Sequence, residues 1–202
     1  MKFSSAAFIR LTMALSAGLL LAPDSLRAQA GNVWKAKLVM EMQQTPEFSF
    51  SGAKKKRTDA LEWLEVEVAF VPEVKERQQG PPFIDNVEVR YFILLQGGER
   101  GQILTHTVTH RNVPLNTTCY SSAYIPPVVL ARQVAKAKAT LADVRAVAVE
   151  IHHGGDMVGF DQKGFQRDGQ WREGDQVQDL IRSINKTPFA LLYPDRYPEV
   201  TD

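Results

Sequence analysis

Period-two alternation is the dominant pattern along this chain, and it is clearest between Val87 and His110. Val87, Val89, Tyr91, Ile93 and Leu95 share one face of an extended segment. The opposite face changes from Glu88 and Arg90 to Phe92 and Leu94, so the second half of the segment is apolar on both sides. Such a strand belongs in the interior of a sheet. The return run alternates Ile103, Thr105, Thr107 and Thr109 with Leu104, His106, Val108 and His110. Gly97-Gly98-Glu99-Arg100-Gly101 supplies a connection rich in residues that tolerate positive φ, and the whole reads as a β-hairpin.

The same reading predicts an opening strand at Val33–Met42 and a short one at Glu47–Gly52. A half-buried strand covers Leu61–Val71, where Leu64, Val66, Val68 and Phe70 oppose Glu65 and Glu67. Asp143–His153 is a further strand, turned by Gly154-Gly155 into a partner at Met157–Gln162. Val74–Pro82 reads as a loop by its Gln, Gly and Pro content, and so does the segment around Cys119, Ser121 and Ser122. Helical spacing occurs twice. Pro126-Pro127 opens an Ala-, Arg- and Lys-rich run over Val128–Ala139. Asp175 with Gln178 has the capping-box spacing ahead of Val177, Leu180, Ile181 and Ile184. The aromatics and prolines of Pro188–Asp202 predict an extended tail lying on the domain. About seven strands with short connections and two short helices give a mainly β chain, expected to be an antiparallel, immunoglobulin-like sandwich.

The N-terminus modifies the length available for that fold. Lys2 and Arg10, the apolar run Leu11–Ala22 and Ala28-Gln29-Ala30 follow the order of a secretory leader, with residues 1–30 removed before Gly31. The apolar run falls short of the roughly 20 residues that a membrane helix needs. Of the 202 residues, 172 then form one domain, residues 31–202. Without Lys2, Arg10, Arg27 and Asp24, the 24 basic and 23 acidic residues become 21 and 22, net −1. A balanced chain lacks the electrostatic footprint of a nucleic-acid binder. The basic run Lys54-Lys55-Lys56-Arg57 therefore reads as a solvated loop. A single cysteine, Cys119, excludes an internal disulfide and reads as a buried thiol, with a cross-link between two copies as the alternative. Asn116-Thr117-Thr118 fits a glycosylation acceptor and marks an exposed loop.

Candidate chemistry is sparse. His106 and His110 share a strand face but stand about 13 Å apart at roughly 3.3 Å per residue, too far for one ion. His152 and His153 point to opposite faces, and a site joining one histidine from each pair to Asp156 or Asp161 is the remaining metal arrangement. There is no G-x-S-x-G, and Cys119 has no catalytic motif around it. No catalytic, cofactor or metal residue is assigned. Trp34, Trp63 and Trp171 with Tyr120, Tyr124, Tyr193 and Tyr197 offer the residue types of a sugar-stacking platform, and equally those of a core.

The leader, NVWKAKLVMEM, the central hairpin, Tyr124-Ile125-Pro126-Pro127, DVRAVAVEIHHGG, Thr187-Pro188-Phe189-Ala190 and Asp195-Arg196-Tyr197-Pro198 together resemble a group of exported proteins encoded near type IV pilus genes in verrucomicrobial bacteria. That resemblance implies an immunoglobulin-like sandwich similar to the head domain of archaeal-type pilins, a role beside pili or at the cell surface, and no catalytic residues. A pilin keeps its apolar N-terminal helix, whereas here the apolar run precedes a cleavage site. The expectation is a non-enzymatic accessory protein of the periplasm or surface, binding other pilus or envelope proteins. A carbohydrate-binding or hydrolytic sandwich is the alternative.

Overall fold

Alternation becomes sheet along most of the described residues. The computed structural model describes residues 34–48, 51–52, 60–73, 82–97 and 102–201, and these lie in one unit, Gly31–Asp202. The leader, the basic run Lys54–Arg57, most of the Val74–Pro82 loop and the hairpin turn beyond Gly97 lie outside the described residues.

Among the described residues twelve strands occur in chain order: β1 (Ala36–Gln44), β2 (Glu62–Phe70), β3 (Phe83–Ile84), β4 (Val87–Leu95), β5 (Ile103–Arg111), β6 (Val113–Pro114), β7 (Cys119–Ile125), β8 (Val144–His153), β9 (Asp156–Lys163), β10 (Gln176–Val177), β11 (Arg182–Ser183) and β12 (Glu199–Val200). One sheet has the order β1-β2-β7-β11. The other has β10-β5-β4-β8-β9, with β12 also on β5, while β3 and β6 form a small ribbon. Every pairing is antiparallel except β10 with β5. The described residues are therefore mainly antiparallel β with one α-helix, α1 (Pro127–Val134).

The central hairpin holds the position that its double apolarity required. In β4, Val89 stands between Val108 of β5 and Ile151 of β8, and Ile93 stands between Leu104 and Val147. These inward residues meet Leu64, Val66, Val68 and Phe70 of β2 and Ala123 and Ile125 of β7 in one buried core. Burying each large aliphatic side chain is worth about 1.5–3 kcal/mol. The edges of the two sheets also approach one another. Trp34 N–H donates to the Val158 carbonyl (2.6 Å), and Leu38 N–H to the Asp161 carboxylate (2.8 Å). Gly159 permits this closeness, because a Cβ there would stand 2.8 Å from the Trp34 oxygen.

Four expectations are corrected. The run from Asp175 is not a helix. Gln176–Val177 joins β5, Asp179 takes φ 66°, and Arg182–Ser183 joins β7. Two sheet edges satisfy its backbone while Ile181 and Ile184 stay buried. A helix so short is marginal on its own, so these external partners win. The strand expected at Glu47–Gly52 is absent at its described residues, where Ser51–Gly52 is a turn. Its place in the count is taken by β7, the segment expected to be a loop. Cys119, Ser121, Ala123 and Ile125 face inward there, and the serines mask the apolar pattern. Helix α1 is also shorter than Val128–Ala139: Ala135 turns left-handed (φ 53°), its N–H donating to Ala131, and Lys136 leaves to pair with Asp143.

Candidate functional site

Both outer sheet faces are covered by irregular chain, and one of these coverings leaves a cleft. After β9 the chain folds back over the outer face of the six-stranded sheet. Phe165 and Trp171 there cover Phe92, Ile103, Ala146 and Ala148. Trp171 sits among three rings, with centroids 5.7 Å from Phe165, 6.0 Å from Phe160 and 6.4 Å from Phe92. Gly164 enables the fold-back: its φ of 87° is costly for other residues, and its bare Cα packs on the Arg145 carbonyl.

Beneath this cover lies Glu150, only 2% exposed. One carboxylate oxygen accepts from Trp171 Nε1 (2.6 Å) and Arg172 Nε (2.6 Å), and the other pairs with His152 Nε2 (2.9 Å). Burial alone would raise its carboxyl. The hydrogen bonds from His152, Arg172 and Trp171, with the charge of Arg172, outweigh burial and hold it at about 2. Glu150 is thus a fixed anion at neutral pH. A carboxyl so depressed is unsuited to general acid work, which needs a proton near operating pH.

Beside this network opens a cleft of about 470 Å³. Its floor is the outer face of β4 and β5, including Arg90, Thr105 and Thr107, and its wall is Arg172, Gln176, Gln178 and Asp179. Arg90 and Glu150 are directly opposed across β4 and β8. Arg90 also pairs with Glu88 (2.6 Å).

The other outer face is covered by the C-terminal segment, as the aromatic and proline content predicts. Phe189 stacks on Tyr124 (4.9 Å) and meets Trp63 edge-on (5.8 Å). Arg196 lies 3.9 Å over the Tyr120 ring and grips Glu67 through two nitrogens, 2.7 and 2.9 Å. Tyr197 donates to the same carboxylate (2.8 Å). A smaller hollow of about 230 Å³ remains here, lined by Glu41, Glu65 and Tyr193 among others. Burial pushes the Glu65 carboxyl upward against the lowering effect of its bond from Tyr124 (2.5 Å).

The residues weighed from sequence are dispersed. His106 meets Ser183 (2.8 Å) and His110 meets Ser121 (2.8 Å), both within the fold. Ser121 also accepts from Tyr91 (2.7 Å); the Pro198 carbonyl, 3.3 Å from His110 Nδ1, can only accept, so in the neutral ring Nδ1 carries the proton and Nε2 accepts from Ser121. His153 stacks with Trp34 (5.9 Å), while His152 turns to Glu150. Asp161 is committed to Leu38 and Gln162 backbone. Among the described residues no group of three His, Cys, Asp or Glu could hold a metal ion. Trp34 and Trp171 are buried, so they form no sugar platform. Cys119 is buried, and burial pushes its thiol up to about 11. Asn116-Thr117-Thr118 is an exposed turn. Sequence reading missed Glu150 and Arg172. The one available signal was a lone acidic residue inside an otherwise apolar strand, AVAVEI.

A comparison with curated proteins finds no match. Among solved structures, a crystal structure of a protein from Akkermansia muciniphila matches with a TM-score of 0.65 and 20% identity, covering 84% of this chain and 95% of that chain. At that identity the likeness shows a shared fold. A protein-family model matches residues 24–202, a span that contains every described strand and both coverings, and the chain belongs to that family.

Proposed function

We propose that this protein is a non-enzymatic, exported accessory protein of the bacterial envelope that acts through protein–protein contacts, in association with type IV pili. The observation that carries the contact reading is the run Leu191-Leu192-Tyr193 on the C-terminal covering, exposed to 74%, 42% and 48%. Contiguous exposed apolar residues on an otherwise well-packed surface mark interaction sites. The secretory pattern of residues 1–30 supports export. The fold likeness to a protein of a verrucomicrobial bacterium agrees with the resemblance to verrucomicrobial pilus-linked proteins. The strand order, β1-β2-β7 against β9-β8-β4-β5, supports an immunoglobulin-like sandwich of the kind found in pilin heads.

Affinity capture from envelope extracts of the producing bacterium tests this reading. Recovery of pilus components by the wild-type chain, reduced by Leu191→Ser with Tyr193→Ser, is the expected result. Recovery of none would remove the pilus link. Mass spectrometry of the exported protein should place its N-terminus at Gly31. The polar lining of the 470 Å³ cleft favours a second reading, carbohydrate binding or hydrolysis. Saturable binding on a glycan screen, or turnover of chromogenic glycosides, would establish it in place of the first.

A further inference from the structure

The exposed run Leu191-Leu192-Tyr193 leads directly into the smaller hollow. Tyr193 lines that hollow of about 230 Å³, and so does Val39, an exposed apolar residue of β1. The apolar surface therefore continues from the C-terminal covering onto the outer face of β1 and β2. Carboxylates stand within it. Glu41 of β1 and Glu65 of β2 are directly opposed in register, and Glu67, opposite Val39, lies two residues further along the same face. Like charges placed opposite one another on a sheet are destabilising.

Arg196 is the one cation among the lining residues, and it is already committed. It gives two nitrogens to Glu67 and lies over the Tyr120 ring. Glu41 and Glu65 have only neutral donors among the described residues, the Gln43 amide (3.1 Å) and the Tyr124 hydroxyl (2.5 Å). Three carboxylates thus face one guanidinium, an excess of two negative charges. Burial raises the Glu65 carboxyl, the Tyr124 bond opposes that rise, and the charges of Glu67 and Glu41 add to it. The hollow is also smaller than the roughly 300–1,000 Å³ of small-molecule pockets, a size suited to one long side chain.

We propose that this face docks a segment of a protein partner that carries a basic side chain between apolar residues. The ammonium or guanidinium head sits on Glu41 and Glu65, its hydrocarbon stem lies along Val39 and Tyr193, and the flanking apolar residues cover Leu191 and Leu192. Long basic side chains suit such a place, because their stems pack on apolar surface while the charged head reaches polar groups. Charge-assisted hydrogen bonds are roughly twice as strong as neutral ones, and the incoming cation offsets the repulsion between two opposed carboxylates. This inference rests on the reading of Leu191-Leu192-Tyr193 as a contact surface and names the chemistry of what it contacts.

The test is a titration of the full exported chain, labelled with ¹⁵N, followed at the backbone amides of Val39, Glu41, Glu65 and Tyr193. The probes are acetyl-Leu-Gly-Lys-Gly-Leu-amide and its counterpart with norleucine in place of lysine. The lysine peptide should shift these amides saturably, bind at least about tenfold more tightly than the norleucine peptide, and weaken as salt is raised. Glu41→Gln should weaken the lysine peptide about tenfold with an unchanged or raised melting temperature, since it removes the like charge opposite Glu65. Leu191→Ser should weaken both peptides alike, because it removes apolar contact only. No saturable shift up to about 10 mM lysine peptide, equal binding of the two peptides, or retained affinity in Glu41→Gln would overturn the site. Concentration-dependent dimers in sedimentation that Leu191→Ser abolishes would also overturn it, by making a second copy the occupant. Partner capture from envelope extracts separates the two claims: capture that is lost in Leu191→Ser with Tyr193→Ser but survives Glu41→Gln leaves the contact reading standing and removes the basic side chain from it.

Discussion

The two outer faces of this protein solve one problem in two ways. Each is covered by irregular chain that carries an aromatic plug and an arginine–glutamate pair. On the four-stranded sheet these are Phe189 and Arg196–Glu67. On the six-stranded sheet they are Trp171 and Arg172–Glu150. The difference is depth. The two arginines are about equally exposed, 40% and 38%, but Glu67 keeps 16% of its side chain open to water against 2% for Glu150. Glu150 is sealed under Trp171, so every lone pair it shows must be met by the protein. An exposed pair contributes roughly 0–1 kcal/mol, whereas breaking a buried one costs about 3–5 kcal/mol. The same two residue types therefore serve as a rim clasp on one face and as a structural keystone on the other.

The sharpest way to break this comparison is to remove the two plugs. Trp171→Ala should cost about 4–5 kcal/mol in urea denaturation, because it opens a cavity and strips one donor from Glu150. Phe189→Ala should cost less, about 3 kcal/mol, since it opens a cavity but leaves no buried charge unpaired. Equal losses would mean that the indole hydrogen bond to Glu150 contributes nothing.

Acid should separate the faces next. The Glu150 carboxyl lies at about 2 in the folded protein against an ordinary 4.5. A depressed folded value means that the unfolded chain binds the proton first. The stabilisation is complete above pH 4.5 and is lost as pH falls from there toward 2. Its size is about 3 kcal/mol. Denaturation curves for the wild type and Glu150→Gln, compared between pH 7 and pH 3, should show a steeper loss in the wild type. Parallel curves would place the acid sensitivity elsewhere.

Smaller effects come from the rim. Glu67→Gln should cost about 1 kcal/mol or less, and raised salt should reduce that difference. Smallest is the response of the core thiol. Cys119, with its thiol pushed up to about 11, should react with a disulfide reagent at pH 8 only after denaturant unfolds the chain. Rapid labelling of the native protein would show that β7 opens.

Much of the sheet framework was legible because alternation survives in the residues themselves. Leu64 to Phe70 and Val87 to Leu95 carry their inward faces openly, and their pairing follows. Strand β7 was hidden because Ser121 and Ser122 occupy buried positions, where Ser121 is made acceptable by a hydrogen-bond partner, Tyr91 or His110. No local pattern reports that partner. The segment from Asp175 misled for a related reason: Val177, Leu180, Ile181 and Ile184 have helical spacing, yet two sheet edges offer its backbone better hydrogen bonds than a solitary turn of helix does. The cleft was invisible in the same way, since Arg90, Arg172 and Gln176 are surface residues in any linear reading.

By itself, then, the sequence determined the strand-rich class and the doubly buried centre at Phe92–Leu95. Those are consequences of side-chain period and type, which are local properties. Tertiary structure alone decided which edges accept the chain after β9 and after β11, and which arginine meets which carboxylate. Glu150 and Arg172 are 22 residues apart in the chain and 2.6 Å apart in the fold. Desolvation strengthens that contact, and it exists only once Trp171 has closed over it.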